Sequence, residues 1–90
     1  MKEKIDELEN RLIKDERNFV AFSSDVERTS AVIYYSKGGD CFVTEIYEVG
    51  AMMMPRKFFD NLDEAINYVL HFGGGFSKAP YFSKPEFVEG

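Results

Sequence analysis

Cys41 and His71 are the one cysteine and the one histidine of the chain, and together they are its candidate for nucleophilic catalysis. In such a pair the imidazole takes the thiol proton, while a third group orients the ring. The two residues lie far apart in the sequence, and no further signature accompanies either of them. We therefore expect a strand thiol and a helix-end histidine rather than a catalytic dyad. An enzyme that uses Cys41 stays as a third-ranked alternative.

Cofactor and metal sites lack their usual patterns. A single cysteine makes neither an intramolecular disulfide nor a thiolate zinc cage. Gly73 to Gly75 follow a predicted helix, whereas phosphate loops precede a helix N-terminus, where free N–H groups attract anions. Glu45 and Glu48 fall on opposite faces of a predicted strand, so they cannot act as an acid–base couple. The sequence thus predicts no catalytic residue, metal, cofactor or small-molecule substrate.

The C-terminal region interleaves aromatic and basic residues, as single-stranded nucleic-acid binders do when they stack bases and follow the backbone with cations. The residues concerned are Phe76, Lys78, Tyr81, Phe82, Lys84 and Phe87. Arg56 and Lys57 add a small basic spot. However, Glu86 and Glu89 offset the tail lysines, and the chain carries a net charge of −5. Because attraction to phosphate dominates such affinity, nucleic-acid binding is the disfavoured alternative.

Composition indicates one small globular domain. The chain has 90 residues, 44% of them hydrophobic, which is too apolar for a disordered protein. The lone cysteine favours a reducing, cytoplasmic location. We expect no signal peptide, because the first ten residues alternate charges. We also expect no membrane partner, because no stretch approaches the roughly 18 apolar residues of a membrane span.

Two amphipathic helices are predicted from the spacing of apolar residues. The first covers residues 3–16 and places Ile5, Leu8, Leu12 and Ile13 on one face. The second runs from Leu62 to about Phe72, with its apolar stripe at Leu62, Ala65, Ile66, Val69 and Leu70. Asn61 is its predicted N-cap, Glu64 completes a sequence close to a capping box, and Gly73 is its predicted C-terminal cap.

Three strands are predicted over residues 18–24, 28–36 and 41–49. Gly38 and Gly39 predict a two-residue hairpin loop that needs positive φ angles. That loop fixes the register. One face carries the pairs Tyr35–Phe42, Ile33–Thr44 and Ala31–Ile46, and the other carries Tyr34–Val43, Val32–Glu45 and Ser30–Tyr47. Residues 50–60 are predicted to be irregular, with a fourth strand from 50–55 or from the tail as an alternative.

These elements predict an α+β fold. It is a two-layer sandwich with an α-β-β-β-α antiparallel meander, both helices on one face and an extended C-terminal tail. Residues 1–75 form the single α+β domain, and residues 76–90 form the extended aromatic tail. The face of the sheet that carries Tyr34 and Tyr47 is too apolar to be freely solvated, so something is expected to cover it.

The covering group is expected to be the tail, a second copy of the chain in a homodimer, or a larger protein. The predicted partner-binding residues are Tyr34, Tyr47, Val32, Val43, Met53, Phe76, Tyr81 and Phe82. Tyrosines are favoured on such surfaces because they are large and carry a polar tip. The sequence therefore predicts a non-catalytic protein-binding module. We expect a small acidic regulator, inhibitor or accessory subunit that acts on a larger cytosolic protein.

Overall fold

The structure is a computed structural model, and it describes residues 2–24, 29–48, 51–52, 55–71 and 82–90. The two helices in this part of the chain are α1 (Lys2–Lys14) and α2 (Leu62–Leu70). The strands are β1 (Phe19–Ser24), β2 (Thr29–Ser36), β3 (Cys41–Glu48), β4 (Ala51–Met52), β5 (Lys57–Phe59) and β6 (Phe82–Val88). The predicted α+β class is confirmed. Neither of these helices is long and apolar enough to cross a membrane.

The strands form one sheet in the order β4-β3-β2-β1-β6, and each described pair of neighbours is antiparallel. The short strand β5 also pairs with β3. One side of β3 is occupied by β2, so β4 and β5 share the other side. β4 lies opposite Tyr47 and Glu48, and β5 lies opposite residues 42–44. The described strands therefore make a sheet that is five positions wide.

The β2–β3 hairpin has the predicted register over all six predicted pairs. Its loop differs from the prediction, because residues 37–40 form a four-residue turn between the pair Ser36–Cys41. The left-handed residue is Asp40, with φ of 51°, while Gly38 and Gly39 lie outside that region. Aspartate tolerates positive φ better than most residues. The predicted two-residue loop with left-handed glycines was therefore wrong.

Three further strands lie where regular pairing was not the main prediction, and two of them, β4 within residues 50–55 and β6 in the tail, match the alternative of a further strand there. β5 falls within residues 50–60, so the irregular prediction was wrong there. β6 falls within the predicted tail and pairs with β1 from Phe19–Val88 to Ser24–Phe82, with a register shift between Phe22 and Ser23. The proposed boundary at residue 75 and the cap at Gly73 lie outside the described residues.

One hydrophobic cluster gathers buried side chains from both helices and from the strands. Its members are Leu12, Val20, Phe22, Ala31, Ile33, Tyr35, Phe42, Ile46, Leu62, Ala65, Ile66, Val69 and Phe82.

The start of α2 is fixed as predicted, since Asn61 Oδ1 accepts a hydrogen bond from Glu64 N at 2.9 Å. Glu9 Oε2 on α1 accepts another from Leu62 N at 3.0 Å, which ties the two helices together.

Candidate functional site

The side of the sheet turned away from the hydrophobic cluster is called the outer face here. Directly paired residues of antiparallel strands share a face, so the registers define its members. They include Phe19, Ala21, Val32, Tyr34, Val43, Glu45, Tyr47, Phe58, Glu86 and Val88. Four of the predicted partner-binding residues are among them. The alternation of side chains along β2 and β3 therefore brings Val32, Tyr34, Val43 and Tyr47 together as expected.

Glu45 is the centre of a polar cluster on this face. Its Oε2 accepts hydrogen bonds from the Tyr34 hydroxyl at 2.6 Å and from Arg56 Nε at 2.8 Å. Its Oε1 accepts a hydrogen bond from the Tyr47 hydroxyl. Glu45 is only 8% exposed, so these three donors replace the water that a free carboxylate would bind. The cluster fixes the positions of both tyrosine rings on the outer face.

The pKa values in this cluster follow from its geometry. Burial alone would raise the pKa of Glu45, but hydrogen bonds from Arg56, Tyr34 and Tyr47 outweigh burial and hold that pKa below its ordinary value. The pKa of Tyr34 is raised by burial and by its hydrogen bond to Glu45. The pKa of Tyr47 is raised by its hydrogen bond to Glu45 and then by burial. At neutral pH the cluster therefore holds an ionised carboxylate between two neutral phenols and a guanidinium.

An apolar row crosses the outer face beside this cluster. Tyr34 pairs with Val43, and Val43 pairs with Phe58 of β5. Val43 is 2% exposed, whereas Phe58 is 65% exposed. The other exposed large hydrophobic residue in the described part of the chain is Ile13 on α1, at 44%. A single exposed apolar side chain is ordinary, but Phe58 extends an apolar row that includes a partly exposed tyrosine.

A shallow groove of about 370 Å³ opens onto the outer face next to Tyr34. One wall is the α1–β1 loop, residues 16–18, and the rest is formed by Phe19, Val32, Tyr34 and Glu45. The groove thus combines aromatic and aliphatic surface with two carboxylates, those of Glu16 and Glu45. We refer to it as the Tyr34 groove.

The other predicted partner-binding residues are placed elsewhere. Phe82 is buried in the hydrophobic cluster and meets Phe22 edge-on, with ring centroids 6.5 Å apart. The structure therefore separates Phe82 from the outer face, because β6 enters the sheet and turns this ring toward the core. Met53, Phe76 and Tyr81 lie outside the described residues.

Sequence reasoning missed Phe58 and Arg56 as members of this surface. Both fall in the segment predicted as irregular, so no face was assigned to them. The signal was the adjacent pair Phe58-Phe59, because consecutive strand residues point to opposite faces. Phe59 packs against the hydrophobic cluster and Phe58 points away from it.

Residues considered for other functions have different surroundings. The guanidinium of Arg11 lies 3.9 Å from the centre of the Phe87 ring, so this tail aromatic is already stacked by a cation. Arg56, part of the predicted basic spot, is paired with Glu45.

His71 places Nδ1 2.8 Å from the Asn67 carbonyl oxygen, and Cys41 is a partly exposed free thiol at the start of β3. Within the described residues, no three His, Cys, Asp or Glu side chains are grouped so that they could hold a metal ion.

No family model, curated protein or solved structure matches the chain. The geometry of the outer face is thus the basis for a functional proposal. An ordered cluster of tyrosines beside an exposed phenylalanine provides a surface for apolar contact and for hydrogen bonds with a partner.

Proposed function

We propose that the protein is a non-catalytic protein-binding module that docks through its outer face. In this proposal it is a small acidic regulator, inhibitor or accessory subunit of a larger cytoplasmic protein. The observation that carries the proposal is the position of Phe58. Phe58 is 65% exposed, and its register neighbour Val43 is buried. Exposed aromatic side chains of this kind are enriched at the centres of protein interfaces.

The arrangement of the helices supports this choice of surface. The buried residues of α1 and α2 belong to the hydrophobic cluster, together with strand residues such as Ile33 and Phe42 that alternate with the outer-face residues. We propose that α1, the β1–β3 meander and α2 form the predicted two-layer sandwich, with both helices on the core face. In such a sandwich neither helix shields Phe58 or Tyr34, and the outer face is left for a partner.

The charge of the chain indicates the character of the partner. A net charge of −5 attracts basic protein surfaces and speeds encounter with them. A second copy would bring the same net charge, which disfavours a homodimer relative to a basic partner. Nucleic-acid binding has less support, because Phe82 is buried and Phe87 is covered by Arg11.

The test compares Phe58→Ser with Ile13→Ser, which removes the other large hydrophobic side chain that is exposed in the described part of the chain. Cytosolic proteins of the native host that the immobilised chain retains are identified, purified singly and titrated by calorimetry. We expect at least one to bind directly, with Phe58→Ser raising its Kd by about tenfold or more, as loss of an interface hot spot does. Ile13→Ser should leave that Kd unchanged.

Three outcomes would overturn the proposal. The first is that no purified protein binds in a manner that depends on Phe58. The second is a wild-type dimer, seen by light scattering, that Phe58→Ser dissociates, because the partner would then be a second copy. The third is tight, salt-dependent binding to a single-stranded oligonucleotide, which would favour the alternative function.

A further inference from the structure

The Tyr34 groove has the room and the lining to receive a long side chain. Its volume of about 370 Å³ lies near the lower end of the range for small-ligand sites, which is about 300–1,000 Å³. Phe19 and Val32 supply apolar surface, and the Tyr34 ring stands beside them. Such walls pack well against the methylene stem of a lysine or arginine, and an aromatic ring attracts a cation.

The charges around the groove leave one carboxylate without a cation. Glu45 is paired with Arg56 at 2.8 Å. Arg17, the one cationic residue among the described residues that line the groove, is paired with Asp15 at 3.0 Å. Glu16 accepts only a hydrogen bond from the backbone N–H of Lys37, at 2.9 Å, and has no ion pair within the described structure. Among its described residues the lining therefore carries one negative charge, that of Glu16, without a cationic partner.

We propose that the Tyr34 groove receives an arginine side chain of the partner, with its guanidinium beside Tyr34 and its charge balanced by Glu16. Arginine fits better than lysine because its planar guanidinium stacks on aromatic rings and binds a carboxylate with two parallel hydrogen bonds. This inference rests on the proposed docking of a partner at the outer face. It adds the chemistry that the partner must present, which is an arginine flanked by apolar residues that can meet Phe58.

The inference is tested with a pair of capped tripeptides, acetyl-Leu-Arg-Leu-amide and acetyl-Leu-citrulline-Leu-amide. Citrulline has nearly the shape of arginine but no charge. Each peptide is titrated into the ¹⁵N-labelled full chain and followed by two-dimensional NMR. We expect amide shifts at Phe19, Val32 and Tyr34, and a Kd about threefold or more lower for the arginine peptide, which is within the range of a partly exposed ion pair.

Glu16→Gln should remove the preference for arginine over citrulline, because it keeps the size of the side chain and deletes its charge. Glu86→Gln is the matched control, since Glu86 is an exposed carboxylate of the outer face that does not line the groove. Equal affinity for the two peptides, shifts that map away from the groove, or no saturable shift up to about 10 mM peptide would each overturn the inference.

Its failure can be separated from failure of the proposed function. In a titration against the purified partner, a Kd that rises with Phe58→Ser but not with Glu16→Gln would refute the arginine site and leave the docking surface intact. A Kd that Phe58→Ser leaves unchanged would refute the docking surface, whichever peptide binds better.

Discussion

Replacing Glu45 with glutamine tests whether the polar cluster stabilises the outer face. The substitution keeps the size of the side chain and removes the charge on which Tyr34, Tyr47 and Arg56 converge. Glutamine retains one carbonyl oxygen as an acceptor, so the three donors would compete for one atom. We expect the fold to persist and its free energy of unfolding to fall.

The size of the loss follows from the exposure of the partners. A hydrogen bond to a charged group contributes about 1.5–3 kcal/mol when it is buried. The Arg56 side chain is 53% exposed, which places its ion pair with Glu45 near the surface range of about 0.2–1 kcal/mol. Both tyrosines are partly exposed and can regain water. We therefore expect a loss of about 2 kcal/mol, or roughly 8–16 °C in Tm for a domain of this size.

The pH dependence identifies the charge as the cause. The pKa of Glu45 is lower in the folded chain than its ordinary value of 4.5. A lowered pKa contributes stability that is present above the unfolded value and is lost as the pH falls through the folded value. The difference between wild type and Glu45→Gln should therefore be full at neutral pH and shrink progressively below about pH 4.5.

Urea unfolding, followed by circular dichroism over a series of pH values, measures this difference. Glu86→Gln provides a control carboxylate that is exposed on the same face. A change in Glu45→Gln smaller than about 0.5 kcal/mol at neutral pH would show that the cluster contributes no more than an ordinary surface site. A loss that stays constant in acid would show that packing, rather than charge, is responsible.

Two further predictions concern the helices that position the sheet. Leu12→Ala should lower the free energy of unfolding by about 3 kcal/mol, because Leu12 is fully buried in the hydrophobic cluster. The control is Ile13→Ala, at the exposed neighbouring position, which should lower it far less. A similar loss in both variants would contradict the packing of α1. Asn61→Ala should lower the free energy of unfolding by about 1 kcal/mol, because it removes the N-cap of α2. Asn61→Ser should retain most of that stability, since serine is also a good N-cap. Thermal unfolding measures both variants, and no difference between them would show that the cap is dispensable.

The hairpin register was predictable because it depends on the alternation of side chains and on the position of the turn. Both features are local, so the pairs from Ser30–Tyr47 to Tyr35–Phe42 follow from the sequence. The loop conformation was harder to predict from the sequence, because a four-residue turn gives the same residue pairs as a two-residue turn at this position. The side chain of Asp40 accepts a hydrogen bond from Tyr35 at 2.5 Å, a contact that a glycine-based prediction does not include.

The strands at the two edges of the sheet were harder to predict. β6 contains Pro85 and follows a run of glycines, features that normally oppose strand pairing. β5 is three residues long and follows Pro55. Because both elements are defined by pairing with distant segments, local patterns indicate them weakly. The Glu45–Arg56 ion pair was missed for the same reason, although the face of Glu45 was predicted correctly.

The interrupted edge of β3 has a consequence for self-association. A long, regular edge strand is a template on which other chains can add strands and build fibrils. Here that edge is divided between two short strands, β4 and β5. At the opposite edge, β6 contains Pro85, which offers no N–H, and has an irregular register with β1. Among the described strands neither edge offers a long, uniform ladder, and such edges are poor templates for the addition of further strands.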